Sequence, residues 1–485
     1  MKRRHIVIAV ALAGVLSGCT SVFTGNGVGT SQLGDWSADR VPAGADPGDS
    51  VIGLREHPKI VATYGGVYNH RAAEIMLARM AGKLLVAAEQ PNQSLTVTIL
   101  DSPEVNAFAL PGGYIYVTRG ILALASDEAE LAAVLSHEIA HLTLRHARER
   151  SNRERTSKIV DRVISGILGA DPDTDQSLAR SKLSLAAFSQ AQELAADRTG
   201  VLVAGAAGYD PHAAARFLSQ MGRFAAFTEG DKSGDDFLSS HPSTPSRIEE
   251  AVKSARQLGA PGIGENERER YQRAIDGLAF GPNPENGTIV GQRFIYPALK
   301  FTFEVPNNYQ LSNGNASVVA VAESGTALRF DSAEVPATLP LEDYLRSGWV
   351  AGLNEDSVRT GKQNGVDRVI ATATTEKWFF RIAALRFEDR VYRFIFAAER
   401  DSKAFKQEFE RTIDSFRRAR GEDLKLIQNF EIDIVTAKQG QRARDLSSMM
   451  AGVKRRDDLF LILNGLYPGD PLVAGQGYKI IRPER

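Results

Sequence analysis

Residues His137-Glu138-Ile139-Ala140-His141 bring two imidazoles and a carboxylate together in a 485-residue chain that has only eight histidines. On a helix, side chains four apart project from one face, so both rings can reach the same ion. Two ring nitrogens so placed can bind one Zn2+ at about 2.0–2.1 Å. Glu138 lies beside that face, where it can take a proton from a metal-bound water rather than bind the metal. The pattern therefore points to hydrolysis at zinc. Catalytic zinc normally takes three protein ligands and leaves one position for water. Glu193, in Glu193-Leu194-Ala195-Ala196-Asp197, is the best candidate for the third ligand. Asp197 is one turn further on the same face and can accept the free N–H of a ligating histidine. An exposed acidic helix face is the plainer reading of that pair when it is taken without the pentad.

The surrounding pattern supplies elements to position these groups. Asp127, Glu128 and Glu130 favour a helix start, and Ala132, Ala133, Val134, Leu135, Ile139 and Leu142 make that helix a buried one. A second helix, rich in Ala and Leu, is expected over Leu183 to Ala204. Val67 to Ala88 reads as a long amphipathic helix. Leu95, Val97 and Ile99 alternate as a strand, Tyr114 to Thr118 as another, and Val105 to Leu110 as an edge strand before Pro111-Gly112-Gly113. Ile159, Val160, Val163, Ile164, Ile167 and Leu168 recur at helical spacing, which fits either a lid over the cleft or a helix packed on the domain. His146 falls nine residues past His137, half a turn out of phase, and is expected to face away from the metal. His57, His70 and His212 have no ligand partner nearby and receive no catalytic role.

Five stretches together resemble the HtpX/BepA-like zinc metalloendopeptidases, a branch of the gluzincins. They are NAFALPGGYIYVTRGIL from Asn106, DEAELAAVLSHEIAHLTLRHA from Asp127, ELAADRTG from Glu193, GYDP from Gly208 and SSHPSTPSRI from Ser239. The resemblance covers about residues 54 to 255. It implies one Zn2+ per chain with His137, His141 and Glu193 as ligands, Glu138 as general base and Asp197 as a partner of a ligating ring. Ala195 stands where many relatives carry a second acidic residue, which is not a ligand.

The same resemblance implies further roles. Arg247, in the family's HPxTxxRI motif, is a candidate cationic donor to the developing oxyanion, with a structural salt bridge as the alternative. The strand carrying Asn106, Ala107, Phe108 and Ala109 would hold substrate extended by strand addition, so the substrate must be unfolded or flexible. The matching histidine in some relatives can sit on the zinc, so His241 is a candidate fourth ligand that displaces the nucleophilic water. Alternatively it is a loop residue, fixed by Pro242, that positions Arg247.

The rest of the chain frames this domain. Lys2, Arg3 and Arg4 followed by apolar Ile6 to Val15 read as an export signal too short to span a bilayer. Leu16-Ser17-Gly18-Cys19 resembles a lipoprotein box, and Cys19 is the only cysteine, which lipid attachment explains. Thr20 and Ser21 are not the Asp that often signals inner-membrane retention, so the outer membrane, facing the periplasm, is expected. The expected division is a signal peptide over 1–19, a flexible tether over 20–50, the protease over 51–275, an α+β domain over 285–420 and a small domain over 428–485. The 285–420 segment contains neither His nor Cys, and its antiparallel strand pattern carries no convergent catalytic set. The last segment resembles the LysM glycan-binding module in a βααβ order. Its usual Gly-Asp-Thr turn is replaced by Gly440-Gln441-Arg442, which leaves open whether it binds sugar.

The fold expected is thus α+β and multidomain: a mainly helical gluzincin-type protease with a small sheet, then an antiparallel-sheet domain, then a βααβ unit. With 43% apolar residues the chain can bury two or three cores, and a net charge of −1 gives no reason to expect nucleic-acid binding. Two functions follow. The first is a lipid-anchored periplasmic zinc endopeptidase acting on unfolded or misassembled envelope proteins, with peptidoglycan or an outer-membrane assembly machine as further partners. The second is a lipid-anchored chaperone or adaptor acting mainly by binding. An intact general base favours the enzyme.

Overall fold

The computed structural model describes residues 47–146, 188–228, 241 and 244–484, apart from 94 and 314–316. The export signal, Cys19, most of the tether, the Ile159–Leu168 helix and the start of the second expected helix lie outside the described residues. Helix α1 (Pro47–Thr63) already occupies the end of the expected tether. Helix α2 (Arg71–Ala87) starts four residues later than its apolar pattern, because His70 caps it: the His70 side chain accepts from the Ala73 N–H, and Glu74 accepts from the His70 N–H at 3.0 Å.

A three-stranded sheet follows in the order β1 (Thr96–Leu100), β3 (Tyr114–Thr118), β2 (Ala107–Leu110). Strand β3 is buried along its whole length and lies parallel to β1 and antiparallel to β2, which leaves β2 as an edge. After α3 (Arg119–Leu124) comes α4 (Glu128–Thr143), which carries the pentad. Asp127 caps α4 by accepting from the Glu130 N–H at 2.9 Å, and Glu130 reaches back to the Ser126 N–H at 2.8 Å. Helix α4 is buried from Glu128 to His141, as its nearly all-round apolar sequence requires.

Four helices close around α4: α5 (Gln190–Ala206), α6 (Ala213–Thr228), α7 (Pro245–Arg256) and α8 (Arg268–Ile275). A capping box between Ser189 and Gln192 fixes the start of α5, so Glu193 falls in its first turn. Gly200 lets α5 approach α4 closely. A Cβ there would lie 3.0 Å from the His137 nitrogen, so a larger residue would push the two site-bearing helices apart.

Strand β4 (Ala279–Phe280) then leads into the middle domain. A small sheet is built from β5 (Thr288–Val290), β6 (Arg293–Tyr296) and β7 (Phe301–Glu304), closed later by β15 (Arg417–Arg418). The main sheet uses β8 (Tyr309–Asn313), β9 (Val318–Ala322), β10 (Ala327–Ala333), β11 (Arg359–Gln363), β12 (Val366–Thr374), β13 (Phe379–Phe387) and β14 (Arg390–Ala398). Its order is β11-β12-β13-β14-β10-β9-β8, and all its pairings are antiparallel. Helix α9 (Leu341–Leu345) stops short of Gly348, which takes a φ of +93°. Helix α10 (Lys403–Ser415) buries Phe405, Phe409 and Ile413 against the domain's aromatic core.

The last described unit runs β16 (Phe430–Thr436), α11 (Ala443–Ser447), α12 (Arg456–Leu463), β17 (Gly477–Pro483), with the two strands antiparallel. Strand β16 also pairs with β4, so the chain returns from the middle domain beside the point where it left. This unit does not keep a core of its own. Ile432, Phe460, Leu463, Tyr478 and Ile480 share one apolar cluster with Met80, Leu122, Leu135 and Tyr209 of the preceding helices. The sequence break near 428 marks a change of pattern, not the end of a core. Lys479, 1% exposed, reaches across to the end of α3, where the carbonyls of Ala123, Leu124 and Ala125 accept from its Nζ at 2.6, 3.1 and 2.7 Å. No helix among the described residues is long and apolar enough to cross a membrane.

Candidate metal centre

Helices α4 and α5 and the residue His241 meet at one point. His137, His141, Glu193 and His241 each offer a donor atom, all within 4.8 Å of one another and all buried. His141 Nε2 lies 3.0 Å from His137 Nε2, and Glu193 carboxylate oxygens lie 3.5 Å from each of these nitrogens. His241 Nδ1 is 3.0 Å from both Glu193 oxygens and 3.4 Å from His137 Nε2. Like-polarity nitrogens facing each other at such distances are the arrangement a shared cation would hold together. Three imidazoles and one carboxylate form a nitrogen- and oxygen-rich set that suits Zn2+.

The electrostatics agree. Burial opposes a charge on His137, but Asp197 and Glu193 outweigh it and raise its pKa to about 10. The two carboxylates thus demand positive charge at this spot, which a proton or a metal can supply. Burial also opposes ionisation of Glu193, yet contacts with His137, His141 and His241 carry its pKa well below the carboxylate range. Burial lowers the pKa of His141, which favours the neutral, ligand-competent ring. Glu138 differs from its neighbours. It is fully buried, and among the described residues only the Ala109 amide and His241 Nε2, 3.8 Å from Oε1, turn toward its carboxylate. Burial raises its pKa, while His241, His137 and the backbone amide of Ala109 pull the other way. A carboxylate so placed beside a donor cluster is what a water or substrate proton would satisfy.

A supporting layer holds the cluster. Asp197 Oδ1 is 3.0 Å from His137 Nδ1, the nitrogen turned away from the other donors. Asp197 also takes a two-pronged contact from Arg247, with Nε and Nη2 each donating at 2.7 Å, and Arg247 Nη1 lies 2.9 Å from Glu193 Oε2. Thr244 caps α7 and Pro245 opens it, which sets Arg247 in its first turn, facing α5. Of the two roles expected for Arg247, this geometry is that of a positioning salt bridge.

Strand β2 takes up Ala107–Leu110 of the edge strand expected over Val105 to Leu110. The β2 residue Ala109 brings its amide near Glu138, and Ala107 and Phe108 pair inward with Val117 and Tyr116. The Asn106 N–H is already used by the Thr118 hydroxyl at 3.0 Å, so the free edge begins at Ala107.

His146 departs from its expected position. Helix α4 ends at Thr143 and Arg145 takes a φ of +56°, so helical phase does not extend to His146. Its Nδ1 lies 2.9 Å from His141 Nδ1. Phe188, which no sequence pattern singled out, stacks on the His141 ring with centroids 4.0 Å apart. The remaining histidines among the described residues are structural: His70 caps α2, His57 Nδ1 meets the Tyr116 hydroxyl at 2.7 Å, and His212 Nε2 meets the Gly259 carbonyl at 3.1 Å.

Residues 71–255 match peptidase family M48. Over 180 residues the chain is 33% identical to the mitochondrial metalloendopeptidase OMA1 of Arabidopsis thaliana, covering 35% of this chain and 36% of that protein. Over 169 residues it is 30% identical to the beta-barrel assembly-enhancing protease of Escherichia coli strain K12, covering 33% and 34%. The protein of the same name from Yersinia pestis is 28% identical over 191 residues, covering 37% and 38%. Each alignment spans little more than a third of the relative's own length. Motif, buried donor cluster and match coincide on the same stretch: residues 71–255 are similar to peptidase family M48, and the donor set they bring together suits zinc.

Proposed function

We propose that the chain is a zinc endopeptidase that cleaves unfolded or misassembled envelope proteins. The observation that carries this reading is Glu138, fully buried directly beside His137, His141 and Glu193, with only the Ala109 amide and His241 Nε2, 3.8 Å from Oε1, turned toward its carboxylate among the described residues. Burying a carboxylate in this way is costly and serves no packing purpose. Those three residues would hold Zn2+, which when bound would supply the Lewis acidity to lower the pKa of a water and polarise a substrate carbonyl. Glu138 accepts the proton lost by the attacking water and delivers it to the leaving amine nitrogen. Its raised pKa moves it toward the working range of a general base. Asp197 orients His137, and Arg247 holds Asp197 and Glu193 together. The free edge of β2 takes an extended peptide by backbone hydrogen bonds, which favours flexible substrate over folded protein.

His241 adds a fourth donor to the cluster, and in that position it restrains the enzyme until it withdraws from the metal. Substrate entering along β2 binds only the open state and so shifts the population toward it. The lipoprotein box at Cys19 supports a lipid-anchored protein of the outer membrane facing the periplasm, and the beta-barrel assembly-enhancing relatives support envelope proteins as the substrate class. The strand-helix-helix-strand order of 430–483 supports a LysM-like unit, with peptidoglycan or an assembly machine as its contact. The deciding experiment compares wild type with Glu138→Gln on unfolded casein at equal zinc occupancy. The variant should be inactive with its zinc retained, and equal cleavage by both forms would sink the mechanism.

A further inference from the structure

His146 stands outside the pentad, beyond a left-handed turn, yet it meets the pentad's last residue. Its Nδ1 is 2.9 Å from His141 Nδ1, and the two rings meet edge to face at 74°. His141 turns its other nitrogen, Nε2, toward His137 and Glu193. An imidazole that binds metal through Nε2 carries its proton on Nδ1, and that N–H needs an acceptor. His146 protonated on Nε2 offers one, because its Nδ1 then presents a lone pair to His141 Nδ1, 2.9 Å away. The position is held, not incidental. His146 is 5% exposed, and the Gln192 side-chain amide reaches its carbonyl at 3.5 Å from the first turn of α5, beside Glu193. Phe188 stacks on His141 and lies against His146, with ring centroids 4.0 and 6.1 Å away.

We propose that His146 is a positioning residue for the zinc: its Nδ1 accepts the Nδ1–H of His141 and so fixes the tautomer and ring plane in which His141 Nε2 meets the ion. Asp197 serves His137 through a carboxylate, whereas His146 serves His141 through a neutral acceptor that adds no negative charge to a site already holding two carboxylates. The proposal rests on the zinc reading above.

The test uses the full chain as wild type, His146→Phe and His146→Asn. Phenylalanine keeps a ring against Phe188 but cannot accept, while the asparagine side-chain oxygen can. Zinc affinity is read by chelator competition, and ligand geometry by the visible spectrum of the cobalt-substituted protein. His146→Phe should lose about 10–100-fold in zinc affinity with a changed cobalt spectrum. His146→Asn should stay within a few-fold of wild type with an unchanged spectrum. A His146→Phe variant matching wild type, or a His146→Asn variant as weak as His146→Phe, overturns the proposal. Wild type that fails to bind zinc stoichiometrically instead overturns the metal reading beneath it. Histidine 15N resonances of zinc-loaded wild type give a check that needs no substitution. His146 should appear as the Nε2–H tautomer, and an Nδ1–H tautomer refutes the assignment even if a variant fails to fold.

Discussion

Replacing Arg247 by leucine separates positioning from catalysis at this site. The guanidinium is 3% exposed, holds both Asp197 oxygens at 2.7 Å and lies 2.9 Å from Glu193 Oε2. Leucine fills much of the space but leaves two carboxylates, 2% and 6% exposed, without their common cation. Removing one partner of a buried ion pair typically costs about 3–5 kcal/mol. At about 1.4 kcal/mol per decade, that is roughly two to four decades in a local opening equilibrium. Hydrogen exchange on the zinc-free protein should therefore show amides of α5 and α7 exchanging about 10²–10⁴ times faster. Amides of the β12–β13 hairpin, in the separate core of the middle domain, serve as the unchanged reference. Zinc affinity should fall as well, by about 10–100-fold, because a residue ordering the ligands is gone. Arg247→Lys keeps the charge but not the fork and should fall between the two. Unchanged protection and full zinc content, together with lost cleavage, would refute this reasoning and make Arg247 a donor to the reacting oxygen.

Three other outcomes are expected. His241→Ala should raise basal cleavage of an unstructured substrate with zinc content unchanged, and a loss of activity at full zinc would mean that His241 assists catalysis. Cys19→Ser should abolish metabolic labelling by a fatty acid, so labelling that persists contradicts the lipoprotein box. Because Phe280 and Phe430 are strand partners, replacing residues 285–428 by a short Gly/Ser linker should leave a folded, zinc-binding protein. Loss of zinc binding in that variant would show that the middle domain supports the site.

The site was legible where its chemistry follows local spacing. His137, Glu138 and His141 lie within one helix, and Glu193 and Asp197 within another, so a period of 3.6 was enough to put each set on one face. What brings the two sets together is not local. Gly200 permits the close approach of α5 to α4, and nothing in an Ala-rich helix marks that glycine as a contact point. His146 was misread because helical phase was carried past Arg145, whose positive φ turns the chain back on the helix end. The antiparallel sheet of the middle domain was readable because alternation records a half-buried strand directly: Val318–Ala322 alternates buried and exposed residues. The docking of 430–483 was not, since Ile432, Phe460 and Ile480 would look the same packed on each other or on a neighbour.

Lys479 gives the fold a direction in time. Its ammonium occupies the carbonyl end of α3, one short turn before the zinc-bearing helix, where a positive charge also suits the helix dipole. Yet it is made roughly 240 residues after His241, the last of the four metal donors. At about 5–20 residues per second, synthesis alone separates the two by about 12–48 s. Throughout that interval the nascent chain carries every zinc donor but lacks β17, and the apolar cluster around α4 stays open where Tyr478 and Ile480 belong. The seating of the catalytic helix thus draws on residues far from it in sequence: without β17 the cluster around α4 lacks Tyr478 and Ile480, and the end of α3 lacks its lysine cap.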